Sequence, residues 1–231
     1  MGGLASIVDC LKQWMDEALD LIFPKPRIEG DLKKVQPPFC ERCCQMYEHS
    51  SIQSSFECSN CMGRDWTLSR ARAAYLSDGV VRDSIHAFKY NQQFYHLRFL
   101  SDWLEEGFDL FYKSELWDML VPVPLYIARQ RKRGYNQALE LAKMLSRRCR
   151  IPVQSVLTRK KDTATQTHLR RSERLKNMKG AFEIKSGKDV RGMKILLIDD
   201  VLTSGATADS CARVLTRAGA KEVCLLTVAR G

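Results

Sequence analysis

The spacing of apolar side chains near the start of the chain predicts a helix followed by a linker. In residues 4 to 22 apolar side chains recur at three- and four-residue steps, which is typical of an amphipathic helix. Pro24 and Pro26 end it. The polar face is acidic, so docking on the protein core is favoured over lying on a membrane surface. Residues 23 to 39 are rich in proline and charge, as linkers are.

From residue 66 onward, strand-like apolar runs alternate with helical periodicity. Helical spacing dominates residues 66 to 113 outside one short strand, and further helices are predicted at residues 138 to 149 and 207 to 218. The predicted strands cover residues 72 to 76, 117 to 123, 152 to 157, 194 to 198 and 223 to 228. This alternation predicts an α/β fold, a parallel sheet flanked by helices.

Length and composition limit the class of protein. The 231 residues suit one domain with a small attachment, and we divide them into residues 1 to 39, 40 to 66 and 67 to 231. The sequence contains no run of 18 apolar residues, so no membrane span is predicted. Charged residues interrupt the apolar residues near the start, so no signal peptide is predicted either. We therefore expect a cytoplasmic protein without a membrane partner.

Four of the nine cysteines form two C-x-x-C pairs, Cys40 with Cys43 and Cys58 with Cys61. Two such pairs at this separation are typical of a zinc ribbon, in which four thiolates hold a structural Zn²⁺. The segment is too small to fold on its own apolar core, so the metal would supply its stability. Three alternatives remain open: Cys44 replaces Cys43, His49 is a ligand, or the cysteines are buried free thiols.

The positive charge of the chain is concentrated in one stretch. The net charge is +10, and residues 129 to 179 contain 16 lysines and arginines against three acidic residues. A localised basic field indicates an anionic partner, either a phosphate compound or nucleic acid. We expect this stretch to bind single-stranded DNA.

The clearest chemical signal follows the apolar run at residues 194 to 198. Two adjacent carboxylates, Asp199 and Asp200, come directly after it, and ligands of open α/β sheets bind beyond the carboxyl ends of the strands. A turn then opens a helix whose free N–H groups suit a phosphate. That turn consists of Thr203, Ser204, Gly205, Ala206 and Thr207.

The carboxylates are suited to accept hydrogen bonds from ribose hydroxyls or to hold Mg²⁺ through water. An ordinary capped turn between a strand and a helix is the alternative, but it leaves two adjacent carboxylates unexplained. Residues 195 to 207 resemble the signature of type I phosphoribosyltransferases. That resemblance implies that phosphoribosyl pyrophosphate (PRPP) binds at this turn together with Mg²⁺.

Further motifs resemble one family, the ComF proteins. Its P-V-P-L…R…RG[FY]NQ pattern is matched by residues 122 to 125, Arg129 and residues 133 to 137. Its T-x-Q-x-x-L…R…N-x-x-G-A-F block is matched within residues 163 to 182, where Thr163 fits the spacing to Gln166 better than Thr165. Lys89-Tyr90 matches its K-Y pair, and the paired cysteines match too.

The ComF resemblance implies a type I phosphoribosyltransferase fold and a link to natural competence, the uptake of DNA by bacteria. DNA-processing proteins are then candidate partners. The pyrophosphate side of the site, with a basic flap over it, is assigned to Lys89, Arg129, Arg133, Asn136, Gln137, Gln166 and Arg174. Guanidinium groups bind phosphate oxygens through paired hydrogen bonds. For residues 121 to 137 the alternative is a solvated basic loop. For the flap the alternative is a solvated linker.

Two functions stay open at this stage. Purine-specific phosphoribosyltransferases resemble this chain but carry an aspartate at the position of Thr203, so a purine acceptor that needs base catalysis is disfavoured. The chain is then either a phosphoribosyltransferase for an acceptor that is already nucleophilic, or a PRPP sensor that binds single-stranded DNA. A zinc-ribbon DNA binder fits less well, because the ribbon is not basic.

Overall fold

The computed structural model describes residues 30 to 47, 56 to 91, 93 to 162 and 180 to 231. The predicted helix over residues 4 to 22 lies outside this part of the chain, as do the first residues of the predicted linker.

A four-stranded parallel sheet forms the centre of the described chain, as the alternation of strands and helices predicted. The strands are β1 (Arg70–Leu76), β2 (Met119–Pro122), β3 (Leu157–Arg159), β4 (Phe182–Ile184), β5 (Lys194–Leu202) and β6 (Glu222–Arg230). The large sheet has the order β1-β6-β5-β2, and β3 and β4 form a separate antiparallel pair. Most residues of β5 and all but one of β6 are buried, because helices cover both faces of the sheet.

Five helices surround the sheet in the described chain. They are α1 (Gly79–Tyr90), α2 (His96–Phe111), α3 (Ile127–Arg133), α4 (Gln137–Cys149) and α5 (Ala206–Arg217). Leu225 of β6 belongs to the core cluster that includes buried residues of α5. Its neighbour Leu226 lies 3.2 Å from a Cβ built on Gly107 of α2. Since successive strand residues face opposite sides, α5 and α2 cover opposite faces of the sheet.

Three local features differ from the sequence prediction. Strand β5 continues four residues beyond the predicted end at residue 198, so the two carboxylates lie within the strand rather than after it. The short helix α3 was not predicted, because none of its seven residues is buried and it has no apolar periodicity. Between residues 152 and 157, Val153 makes one bridge to Leu120, and a regular strand starts only at Leu157.

The segment before the cysteines is attached to the sheet. Lys34 pairs antiparallel with Tyr75, and the Val35 N–H donates to the Ala74 carbonyl at 2.9 Å. These contacts cover the exposed edge of β1, where unpaired backbone groups would otherwise face solvent.

Candidate functional site

The two carboxylates lie where β5 extends past its neighbour. β2 ends at Pro122, which pairs with Ile198, so the following residues of β5 have only β6 beside them in the sheet. Lys89, near the end of α1, places its Nζ 2.8 Å from Oδ1 of Asp200. The two side chains are 18% and 4% exposed, which makes this a buried ion pair. The second oxygen, Oδ2, is buried and has no hydrogen-bond partner among the described residues.

Asp199 lies in an environment that disfavours its charged form. Burial raises the pKa of Asp199 to about 7, the neighbouring Asp200 adds to the increase, and Lys89 opposes it. The backbone N–H of Asp200 donates to Asp199 Oδ1 at 2.9 Å. A carboxylate that is hard to ionise near neutral pH favours the approach of a cation, which stabilises its charged form.

The predicted turn follows β5, beginning three residues after Asp200, and opens α5. Gly205 adopts the left-handed conformation at φ = +70°, which non-glycine residues rarely adopt. Ser204 Oγ accepts a hydrogen bond from the Ala206 N–H at 3.4 Å. Thr203 is exposed, and Ser204 and Thr207 are half-buried, so all three hydroxyls lie at the surface of the site. The chain therefore has hydroxyl donors beside a helix N-terminus, an arrangement suited to a phosphate.

Two cationic side chains, Arg129 and Arg159, lie near each other on neighbouring elements. Arg129 of α3 forms an ion pair with Asp162, at 2.9 Å between Nε and Oδ1. Tyr126, which precedes α3, forms a bridge with Arg159 of β3 and so holds β3 beside α3. Burial lowers the pKa of Arg159, nearby Arg129 lowers it further, and Asp199 opposes the change. The sequence placed Arg159 only among the cations of the predicted flap, and the pairing of β3 with β4 and the bridge to Tyr126 give its position.

Three other residues predicted for the pyrophosphate side, Arg133, Asn136 and Gln137, form hydrogen bonds with the backbone or with one another. Asn136 Nδ2 donates to the Val123 carbonyl at 3.0 Å, and its Oδ1 caps α4 by accepting from Ala138 N–H. Gln137 accepts a hydrogen bond from Arg133. Both amides are buried, so they support the loop between β2 and α4. Gln166 and Arg174 lie outside the described residues.

The four paired cysteines form one cluster. The Sγ atoms of Cys40, Cys43, Cys58 and Cys61 all lie within 4.8 Å of one another, and all four residues are buried. The Cys43 and Cys58 sulfurs are 3.7 Å apart. Two thiolates about 2.3 Å from one tetrahedral ion lie roughly 3.8 Å apart, so this donor set is compatible with a structural zinc.

The structure separates Cys44 from this cluster. Its Sγ lies 4.0 Å from the Ala73 carbonyl, and its backbone is left-handed at φ = +58°. That turn points successive thiols to different surroundings, so Cys43 and not Cys44 belongs to the cluster. His49 lies outside the described residues.

Comparison with known proteins agrees with this architecture. Residues 135 to 231 match the family model described as "Phosphoribosyl transferase domain". Competence protein F of Haemophilus influenzae is 30% identical over 200 residues, covering 84% of this chain and 85% of the relative. Competence protein ComFC of Bacillus subtilis is 28% identical over 207 residues, covering 87% and 83%. DNA utilization protein YhgH of Escherichia coli K12 is 39% identical over 111 residues, covering 47% and 48%.

Solved structures resemble the chain more distantly. A purine phosphoribosyltransferase from Pyrococcus horikoshii is 20% identical with a TM-score of 0.34, covering 56% of this chain and 68% of that one.

The parallel sheet and the acid-containing strand before the turn define the class of protein as one with a phosphoribosyltransferase domain. With its cysteine cluster and its similarity to competence protein F over most of both chains, the chain belongs to the ComF family. Within the part that the structure describes, none of the helices is long and apolar enough to cross a membrane.

Proposed function

We propose that the chain binds PRPP with Mg²⁺ at the carboxyl edge of the sheet and acts in bacterial DNA uptake. The observation that carries the proposal is the placement of Asp199 and Asp200 near the end of β5, which leads into the turn of residues 203 to 207. The turn is suited to the 5′-phosphate, and the carboxylates lie next to it, where the ribose hydroxyls need acceptors. The buried Asp200 oxygen without a described partner supports a ligand at this position.

The charge distribution supports an orientation of PRPP in which its pyrophosphate faces the arginines of and beside α3. The pyrophosphate carries most of the negative charge of PRPP and needs cations. Arg129 and Arg133 lie on α3, and Arg159 lies beside that helix, so guanidinium groups line this side of the site. Mg²⁺ would bind pyrophosphate and ribose oxygens there, with the two carboxylates as further oxygen ligands through water.

The chemistry favours either a nucleophilic acceptor or no transfer. In a transfer reaction the C1–O bond of PRPP breaks, pyrophosphate leaves, and the acceptor forms the new bond at C1. Thr203 offers no carboxylate to remove a proton from the acceptor, so an amine is a better acceptor class than a nucleobase that must first lose a proton. The alternative is that bound PRPP acts as a signal for a DNA-binding protein.

Single-stranded DNA is the proposed macromolecular partner. Helix α3 has Arg129, Arg131, Lys132 and Arg133 among seven residues, and none of its residues is buried. The guanidinium of Arg133 lies 5.4 Å from the ring centroid of Tyr90, a ring that is 67% exposed. Exposed aromatic rings beside cations bind single strands by stacking on bases and neutralising phosphates. The names of the relatives, two competence proteins and a DNA utilization protein, support this assignment.

The PRPP site is tested by replacing both acids. Asp199→Asn/Asp200→Asn keeps the shape but removes two charge-assisted acceptors, each worth about 1.5–3 kcal/mol. PRPP affinity should fall on the order of a hundredfold or more by calorimetric titration with Mg²⁺. Asp189→Asn is the matched control, since Asp189 is exposed and pairs with Arg191. An affinity of the double variant within a few-fold of wild type would show that the site is misplaced.

DNA binding and turnover are tested separately. Affinity for a single-stranded oligonucleotide should fall with salt, with a log–log slope of about −0.7 for each neutralised phosphate. Arg131→Ala/Lys132→Ala should reduce the slope by more than one unit, while Lys113→Ala, outside the basic stretch, should not. Salt-independent binding, or none at low salt, contradicts the assignment. Pyrophosphate release from PRPP with a panel of amines separates an enzyme from a sensor.

A further inference from the structure

The segment that joins the cysteine cluster to β1 is attached to the turn of residues 203 to 207 at one end and to helix α5 at the other. Arg64 Nη1 donates to the Ser204 carbonyl at 2.9 Å. At the other end, the backbone N–H groups of Thr67 and Leu68 donate to Oδ1 of Asp209, at 2.8 and 3.1 Å. Asp209 is buried in the first turn of α5. The helix that follows the turn is thus held by the backbone of this joining segment.

Trp66 lies between these two attachments and contacts both regions. Its ring packs against the cysteine cluster and also against the main core. A Cβ built on Gly205 would lie 2.5 Å from Cη2 and 2.9 Å from Cζ3 of Trp66. The ring therefore lies against the backbone of Gly205, closer than any side chain there would allow. The Arg64 guanidinium stacks on the Trp66 ring, 3.8 Å from its centroid.

A second connection reaches the start of the turn. Arg230, at the end of β6, donates from Nη1 to the Leu202 and Thr203 carbonyls at 3.0 and 2.9 Å. Its Nη2 donates to Oε1 of Gln45 at 2.7 Å, two residues beyond Cys43. The segment around the cysteines is therefore in contact with the backbone from residue 202 to residue 205.

These contacts share a property that ordinary packing between two modules does not require. The contacts to residues 202 to 205 fall on carbonyl oxygens and on the backbone of Gly205, so they set backbone orientation rather than side-chain position. Backbone orientation decides where the N–H groups of the turn point, and those groups are what a phosphate would bind. A shift of a few tenths of an ångström there weakens several hydrogen bonds together.

We propose that Trp66 and Arg64 are positioning residues, through which the cysteine-ligated ribbon holds the phosphate-binding turn in its binding geometry. This inference rests on the proposed binding of PRPP at that turn. Because coupling between two sites is reciprocal, PRPP should also hold the ribbon in place and slow the loss of zinc to a chelator.

The test compares Trp66→Ala, Trp66→Phe and Arg64→Ala in full-length, zinc-bearing protein. Arg42→Ala is the matched control, since Arg42 is an arginine of the same ribbon that pairs with Glu57 instead of the turn. Mutations along a contiguous network change coupling by a factor of roughly 3 to 30. PRPP affinity by calorimetry should fall by about tenfold in Trp66→Ala and less in Trp66→Phe, which keeps a ring. Arg42→Ala should bind like wild type.

A double-mutant cycle separates positioning from general loss of structure. Gly205→Ala should weaken PRPP binding severely while Trp66 is present, since the added methyl group overlaps the ring. In the Trp66→Ala background the same change should cost at least about threefold less, because only backbone strain remains. Additive effects in this cycle would overturn the proposal, and so would wild-type PRPP affinity in Trp66→Ala.

A readout without ligand keeps this inference distinct from the proposed function. Hydrogen exchange of the amides of residues 203 to 209 should be faster in Trp66→Ala and Arg64→Ala, while exchange in β2 and zinc content stay unchanged. If wild type does not bind PRPP, the proposed function fails, and the exchange data alone then decide the positioning role. Unchanged exchange at the turn would refute that role whatever the affinity for PRPP.

Discussion

The buried ion pair between Lys89 and Asp200 makes a strong prediction about stability. Lys89→Met keeps the length of the side chain and removes its charge, which leaves the Asp200 carboxylate buried without its cation. Removal of one partner of a buried pair costs about 3–5 kcal/mol. For a chain of this size each kcal/mol lowers the melting temperature by about 2–4 °C. At pH 8 we therefore expect Tm to fall by roughly 6 to 20 °C.

The magnitude should depend on pH in a defined way. A buried carboxylate without a partner escapes its penalty by taking up a proton. From the ordinary aspartate value, that uptake costs more than about 5 kcal/mol at pH 8 but only about 1.5 kcal/mol at pH 5. The loss of stability in Lys89→Met should therefore be several kcal/mol smaller at pH 5 than the full cost of a buried, uncompensated charge. The difference between wild type and variant should shrink as the pH falls.

Urea unfolding of four proteins at both pH values tests this reasoning. Lys89→Met/Asp200→Asn should recover most of the lost stability, because a neutral amide replaces the stranded charge. Lys33→Met is the control, since Lys33 pairs with Asp78 in a contact whose side chains are 60% and 51% exposed. It should leave the stability close to that of wild type, because solvent screens an exposed pair. If Lys89→Met is as stable as wild type at pH 8, the pair is not buried as described.

Two further predictions concern Asp199 and the cysteines. Asp199→Asn should be more stable than wild type, by a margin that grows from about pH 4 to pH 7 and then levels off. The raised pKa of Asp199 in the folded state means that wild type loses stability over that window as pH rises. Thermal melts without ligand measure the difference in stability between the two proteins. A difference that does not depend on pH contradicts this prediction. Elemental analysis should find about one zinc per chain, retained in Cys44→Ser and lost in Cys43→Ser; protein purified without chelator that contains no zinc argues against the metal site.

The fold class was accessible from the sequence because it depends on local patterns. The apolar run of β5 and the helical spacing of α5 belong to segments whose character is set by neighbouring residues along the chain. The spacing of Cys40, Cys43, Cys58 and Cys61 likewise predicted a cluster that the structure forms. Such signals survive without knowledge of tertiary contacts, because strand and helix periodicity act within a few residues.

Only some of the residues around the candidate PRPP site could be predicted from the sequence. Asp199, Asp200 and the turn were recognised from adjacency along the chain. Arg159 was recognised only as a cation of a flap, because a pairing of β3 with β4 and a bridge to Tyr126 decide where it lies. The predicted candidates Asn136 and Gln137 turn out to have buried partners of their own. A residue type indicates what a side chain can bind, whereas its nearest partner is decided by packing.

The sequence by itself thus determined the main strands of the parallel sheet, the helices α4 and α5, the cysteine cluster and the acid pair before the turn. Tertiary structure decided that Lys89 neutralises Asp200, that Cys44 faces away from the other thiols, and that Trp66 contacts Gly205. The physical reason is the range of the interactions. Periodicity and turn chemistry act over a few residues, but burial, ion pairing and close contact depend on which distant segments the folded sheet brings together.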